Sequence, residues 1–173
     1  MHWQAVPRDT ALGREIARAD DFDLLGRDDP NERGAGDIQI STSHCTDLTL
    51  GVIDHRATGL YGHGDCAALA LAVHENTGWA LALVRFDQPR PDGKEWLHAV
   101  AVRPDGLLVD IWGARPEQAV LDYWEARGDQ GLTVEPVGVR AFTATCGSLD
   151  DLDPFSREVT RHFAATLLED LDV

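Results

Sequence analysis

No stretch of apolar residues in this chain approaches the ~18 needed to cross a bilayer. The N-terminal run MHWQAVPRDTALGREIARADD lacks the basic start and apolar core of a secretory signal, and no lipidation motif is present. A cytoplasmic protein is therefore expected, although signal-free secretion would leave no trace in these residues. Cysteine is scarce. The three thiols, Cys45, Cys66 and Cys146, make an odd count without CxxC spacing, which argues against a disulfide framework or a structural zinc knuckle and leaves at least one thiol free. Positive charge is short as well: 15 basic against 30 acidic residues give a net charge of −15. Such a chain repels phosphate backbones and anionic lipid, so neither nucleic acid nor a membrane surface is expected as a direct partner. The HxE and PCxxC patterns of zinc deaminases are absent.

What is present suits one globular domain. A length of 173 residues, 43% hydrophobic and 26% charged, is enough to bury a core and leave room for a cleft. The acidic groups DDFDLLGRDD, SLDDLDPF and LLEDLDV read as solvated faces. Three regions follow along the chain: residues 1–60, an N-terminal helix and loop region; residues 61–113, a catalytic core; and residues 114–173, which complete the sheet and end in a helix. Within the first, a short helix is expected over residues 10–19, a loop over 20–36, and weak strands over 37–42 and 48–53.

The clearest local signal is DCAALALAVHENTG: Asp65 as N-cap, a run of helix-forming Ala and Leu, and Gly78 as the stop. Strands are expected over residues 79–86, 95–102 and 107–113, then an amphipathic helix over 116–127. One or two further strands are expected over 132–142. Pro154 near its start, and Phe155, Val159, Phe163, Leu167 and Leu171 spaced four apart, predict a packed C-terminal helix. The fold class is α+β, with the cysteine-bearing helix on an antiparallel sheet.

Taken alone, a cysteine in an Ala-rich helix is an ordinary small core residue. Cys66, however, falls in the first turn, where unpaired N–H groups and the positive end of the helix dipole favour a thiolate. His98 and Asp110 then lie in consecutive strands joined by Arg-Pro-Asp-Gly. If Pro104-Asp105-Gly106 is a three-residue loop with glycine in the left-handed position, Arg103 pairs with Leu107, Val100 with Asp110, and His98 with Trp112. His98 and Asp110 become diagonal neighbours on one face, about 7–8 Å apart at Cα and within reach of a side-chain hydrogen bond. A two-residue loop puts them on opposite faces. A histidine oriented by a carboxylate and set against a helix-start cysteine is the arrangement of an activated nucleophile.

These residues carry a resemblance. GDCAALALAVHENTG, WLHAVAV and GLLVDIWG, in that order, resemble the core of papain-like thiol enzymes of the transglutaminase-like and bacterial papain-fold toxin types. The resemblance implies Cys66 as nucleophile, His98 as general base and acid, and Asp110 as the group that orients His98. It also implies thioester chemistry on a protein or peptide amide, without a cofactor. Papain holds the oxyanion with a glutamine shortly before the cysteine, but no glutamine lies between Gln39 and Gln88. His63 or Tyr61 is then a candidate side-chain donor, and the backbone of Asp65 and Cys66 the alternative. Trp112 is expected to shield His98, to line a substrate groove, or to be core.

His44, Cys45, Asp54, His55, His63 and His74 follow no metal-ligand spacing, so no metal is predicted. Cys146 reads as packing. Two rivals remain: an acidic, non-catalytic module on the same scaffold that engages a basic partner, and a thiol redox sensor, which needs a second cysteine beside Cys66.

Overall fold

A computed structural model describes residues 39–41, 47–88 and 90–173. The helix expected over 10–19, the loop over 20–36, and His44 and Cys45 lie outside those residues. Among the described residues two short strands come first, β1 (Gln39–Ser41) and β2 (Asp47–Thr49), paired antiparallel. The second ends at Thr49, short of the strand expected over 48–53, and residues 37, 38 and 42 of the other expected strand lie outside the described residues. Two helices follow, α1 (His55–His63) and α2 (Cys66–Thr77).

Helix α1 was not expected from the sequence. Its start is set by Asp54, whose Oδ1 accepts the backbone N–H groups of Arg56 and Ala57, two of the orphan donors at a helix start. Helix α2 matches its expected span and ends at Gly78, which sits at φ 72° and donates its N–H to the His74 carbonyl. Asp65 occupies the N-cap position of α2, but its side chain makes no capping hydrogen bond.

The principal sheet is antiparallel throughout, in the order β6-β5-β4-β3-β7. Its strands are β3 (Ala80–Phe86), β4 (Trp96–Val102), β5 (Leu108–Asp110), β6 (Gly113–Arg115) and β7 (Leu132–Val137). The segment expected as one strand over 107–113 is thus divided: the chain reverses through Ile111 and Trp112, and Asp110 pairs with Gly113 across the break. Helix α3 (Glu117–Glu125) connects β6 to β7. After β7, residues expected to extend into another strand form helix α4 (Val139–Cys146). Its one fully buried side chain is Phe142, and a single anchor of this kind has no strand periodicity to enforce.

A 3-10 turn (Leu149–Asp151) leads to α5 (Pro154–Asp170). The acidic cluster there has local structural roles. Asp151 accepts from the Ser148 N–H and hydroxyl, Asp153 caps α5 through the Phe155 and Ser156 N–H groups, and Asp150 accepts from Arg157.

Apolar side chains gather on both faces of the sheet. One core joins Leu81, Leu83, Ala99, Ala101 and Val109 to α2 and to Phe155, Val159, Phe163 and Leu167 of α5. A smaller one joins Ala82, Val84, Val100 and Leu108 to Val120 and Trp124 of α3. The alternation along β3 and β4 that a two-sided sheet requires is therefore present. Among the described residues, no helix is long and apolar enough to cross a membrane.

The β4–β5 turn is the three-residue loop on which the site depends. The Arg103 N–H donates to the Leu107 carbonyl, and the Gly106 N–H to that of Arg103, with Gly106 at φ 87°. A methyl group on Gly106 would meet nothing within 4 Å, so the glycine is there for its conformation alone. Gly106→Ala is expected to cost about 1–2 kcal/mol, the strain of an L-residue in the left-handed region, measured as a lower urea midpoint at unchanged m-value.

Candidate active site

The register of the β4–β5 hairpin brings His98 and Asp110 together. Val102 pairs with Leu108 and Ala101 with Val109; continuing the ladder sets Val100 opposite Asp110, with His98 diagonal to it. Asp110 Oδ2 lies 3.1 Å from His98 Nε2. Between Val84 and Arg85 the β3–β4 register slips, a bulge one step from His98 of the kind that bends a strand and re-aims the side chain beside it.

Both groups are removed from water, His98 at 0% and Asp110 at 4% exposure. The His98 ring lies near two indoles, with centroids 6.1 Å from Trp112 and 5.2 Å from Trp124. Burial by itself strips a proton from an imidazole. Here hydrogen bonding to Asp110 and then to Cys66, reinforced by the charges of both, outweighs it and raises the His98 pKa from 6.5 to about 9. Asp110 occupies Nε2. The other ring nitrogen, Nδ1, is buried and makes no hydrogen bond of full geometry, so it is the atom left for the Cys66 sulfur. Cys66, the first residue of α2, is 5% exposed. The three residues expected to act together are therefore in one cluster.

Asp110 is held from three sides. Its Oδ1 accepts the Trp112 N–H at 3.0 Å, and its Oδ2 also accepts from Arg115 Nη2 at 2.5 Å. Arg115 was not singled out from the sequence, nor were Tyr123 and Trp124. The Arg115 guanidinium lies over the Trp112 and Tyr123 rings, 5.2 and 5.6 Å from their centroids. No spacing rule marks an arginine five residues after an aspartate; the β5–β6 reversal at Gly113, φ 96°, is what brings it back.

The remaining expected site residues divide. His63, the last residue of α1, is exposed; its Nε2 lies 3.3 Å from the Tyr123 hydroxyl and its ring meets Trp112 and Trp124 edge-on. Partial burial, then the charges of Arg127 and His98, lower its pKa, so His63 is neutral near pH 7. Trp112, half-buried, faces His98 across the turn rather than in a strand, because β5 ends at Asp110. Its indole sits on the bare backbone of Gly62, where a Cβ would fall 2.3 Å from the ring.

Tyr61 is a core residue instead of an oxyanion donor. Its hydroxyl lies 3.2 Å from Thr160 Oγ1, and that hydroxyl already donates to the Ser156 carbonyl. The single Tyr61 proton is therefore committed to Thr160. The Asp65 N–H is likewise engaged, at the Leu60 carbonyl. Of the donors considered, His63 and the Cys66 N–H remain, the latter among the first-turn groups that a helix leaves unpaired. Cys146 is half-buried; burial first and the Cys66 charge second push its thiol up to about 11. Among the described residues, no cluster of His, Cys, Asp or Glu could hold a metal ion.

Comparison of the chain with protein-family models, curated proteins and solved structures gives no match.

The raised His98 pKa has a consequence for stability. A group that binds its proton more tightly when folded contributes fully below the unfolded value of 6.5 and loses that contribution as pH rises through about 9. His162 and His63, both shifted down, act only below that window. Urea unfolding is expected to show stability falling by on the order of 1–3 kcal/mol across it, with the slope largely absent in His98→Gln.

Proposed function

We propose that the protein is a cysteine-dependent amide hydrolase or acyl transferase with a papain-like, transglutaminase-like core. The observation that carries this reading is the buried His98, bonded to Asp110 through Nε2 and near enough to Cys66 for the thiol to raise its pKa. A helix-start cysteine ahead of a sheet-borne histidine and aspartate, in that chain order, supports the same family.

In this reading a protonated His98 stabilises the Cys66 thiolate, which attacks the substrate carbonyl carbon. The oxyanion of the tetrahedral species takes a hydrogen bond from the Cys66 N–H, with His63 as second donor. His98 passes its proton to the departing nitrogen, the C–N bond breaks, and a thioester on Cys66 remains. Neutral His98 then takes a proton from water or an amine, which attacks the thioester and restores the thiolate–imidazolium pair. Asp110 keeps the ring in the tautomer and orientation that both steps require. No cofactor enters. The substrate is a protein or peptide amide, with hydrolysis as the default outcome and transfer to an amine, isopeptide cleavage or deamidation as variants of the same chemistry.

One observation favours the rival, a non-catalytic acidic module: Cys66 keeps only 5% exposure. Its exposed chain neighbours, His63 and Gly64, mark the side from which a substrate would approach.

Alkylation by iodoacetamide, followed by mass spectrometry, distinguishes the two, with Cys146 as internal reference. At pH 6, well below the ~8.5 of an ordinary thiol, Cys66 is expected to react at least tenfold faster than Cys146, and His98→Ala to remove the difference. A Cys66 that is inert, or indifferent to His98, overturns the catalytic reading and leaves the binding module.

A further inference from the structure

Asp110 is flanked on its own sheet face by diagonal neighbours from both adjoining strands. His98 reaches it from β4. On the other side Leu108 pairs with Arg115, so Arg115 stands diagonal to Asp110 across the short β5–β6 hairpin, as His98 does across the β4–β5 hairpin. The two side chains converge on one oxygen, Oδ2, at 2.5 Å from Arg115 and 3.1 Å from His98.

A carboxylate this deeply buried needs hydrogen-bonding partners that are themselves held in place. The Arg115 guanidinium is fixed: it is stacked over Trp112 and Tyr123, and most of its side chain is covered, with 20% exposed. From this geometry we propose that Arg115 is a positioning residue, which holds the Asp110 carboxylate in place and aimed at the histidine that serves Cys66. The inference rests on the thiol–imidazole reading above and adds to it the group on which the orienting carboxylate depends. Without Arg115 the carboxylate is free to turn away, His98 loses its hydrogen-bonded partner, and the imidazolium beside Cys66 is no longer maintained.

The test is the pH profile of Cys66 alkylation in wild type, Arg115→Met, Arg115→Lys and His98→Ala, with thermal unfolding as a check on folding. Methionine keeps the apolar stem and removes the charge. Its acid limb is expected to move up by a unit or more, about a tenfold loss of rate at pH 6, and lysine is expected to recover most of it. Should the methionine variant not fold, Arg115→Gln, an uncharged donor of similar reach, takes its place. A wild-type profile in the uncharged variant overturns the inference, as does a loss that lysine in a folded protein fails to recover, since that marks packing. If His98→Ala moves the profile and the uncharged variant does not, the Arg115 proposal alone fails. If neither moves it, the thiol–imidazole reading fails as well.

Discussion

The contact between Asp110 and His98 constrains everything around it. Two titratable groups buried this completely are costly to desolvate, and their attraction offsets that cost only when geometry is good and the remaining polar atoms have partners. The carboxylate of Asp110 meets that condition. Asp110 receives the Trp112 N–H, the Arg115 guanidinium and the His98 imidazole, and both Asp110 and Cys66 favour the protonated form of His98. Exclusion of water by Trp112 and Trp124 strengthens each of these interactions, and it would make any one of them expensive to lose singly.

Placing the pair requires the whole sheet. The turn at Gly106 sets which residues of β4 and β5 share a face, and the apolar cores on both sides of the sheet oppose a slip of one position, which would exchange side chains between them and part His98 from Asp110. Helix α2, packed between β4 and α5, brings its first residue to the imidazole. Helix α3 covers the other face and supplies Trp124. The segment from Trp112 to Trp124 therefore closes over the sheet face that carries His98 and Asp110: Arg115 holds the carboxylate, Tyr123 meets His63, and both indoles lie beside His98.

The parts legible in the sequence were those with short-range signals. The α2 boundaries follow from the Asp65 position and Gly78, the hairpin register from Pro104-Asp105-Gly106, and α5 from Asp153, Pro154 and the four-residue spacing of its apolar side chains. Arithmetic on that register sufficed to bring His98 and Asp110 together. Helix α1 was missed because Thr58, Gly59 and Gly62 weaken its propensity; its Asp54 cap and buried Ala57, Leu60 and Tyr61 were the available signal. Helix α4 was read as strand because Val139 and Phe142 favour either state in a short apolar run. Arg115 and the aromatic enclosure depend on where the chain goes after Asp110, which no local pattern records. The Tyr61 assignment failed for a related reason: only the folded arrangement reveals Thr160 as its partner.

The central claim is that His98 is an imidazolium held between Asp110 and Cys66. The most direct measurement is nitrogen NMR of the histidine rings against pH, with His98 assigned by comparison with His98→Gln and the titration repeated in Cys66→Ala. The account predicts a His98 that is protonated at pH 7.5, titrates near 9 and falls when the sulfur is removed. A ring that is neutral at pH 7 and titrates at or below 6.5, with or without Cys66, contradicts it.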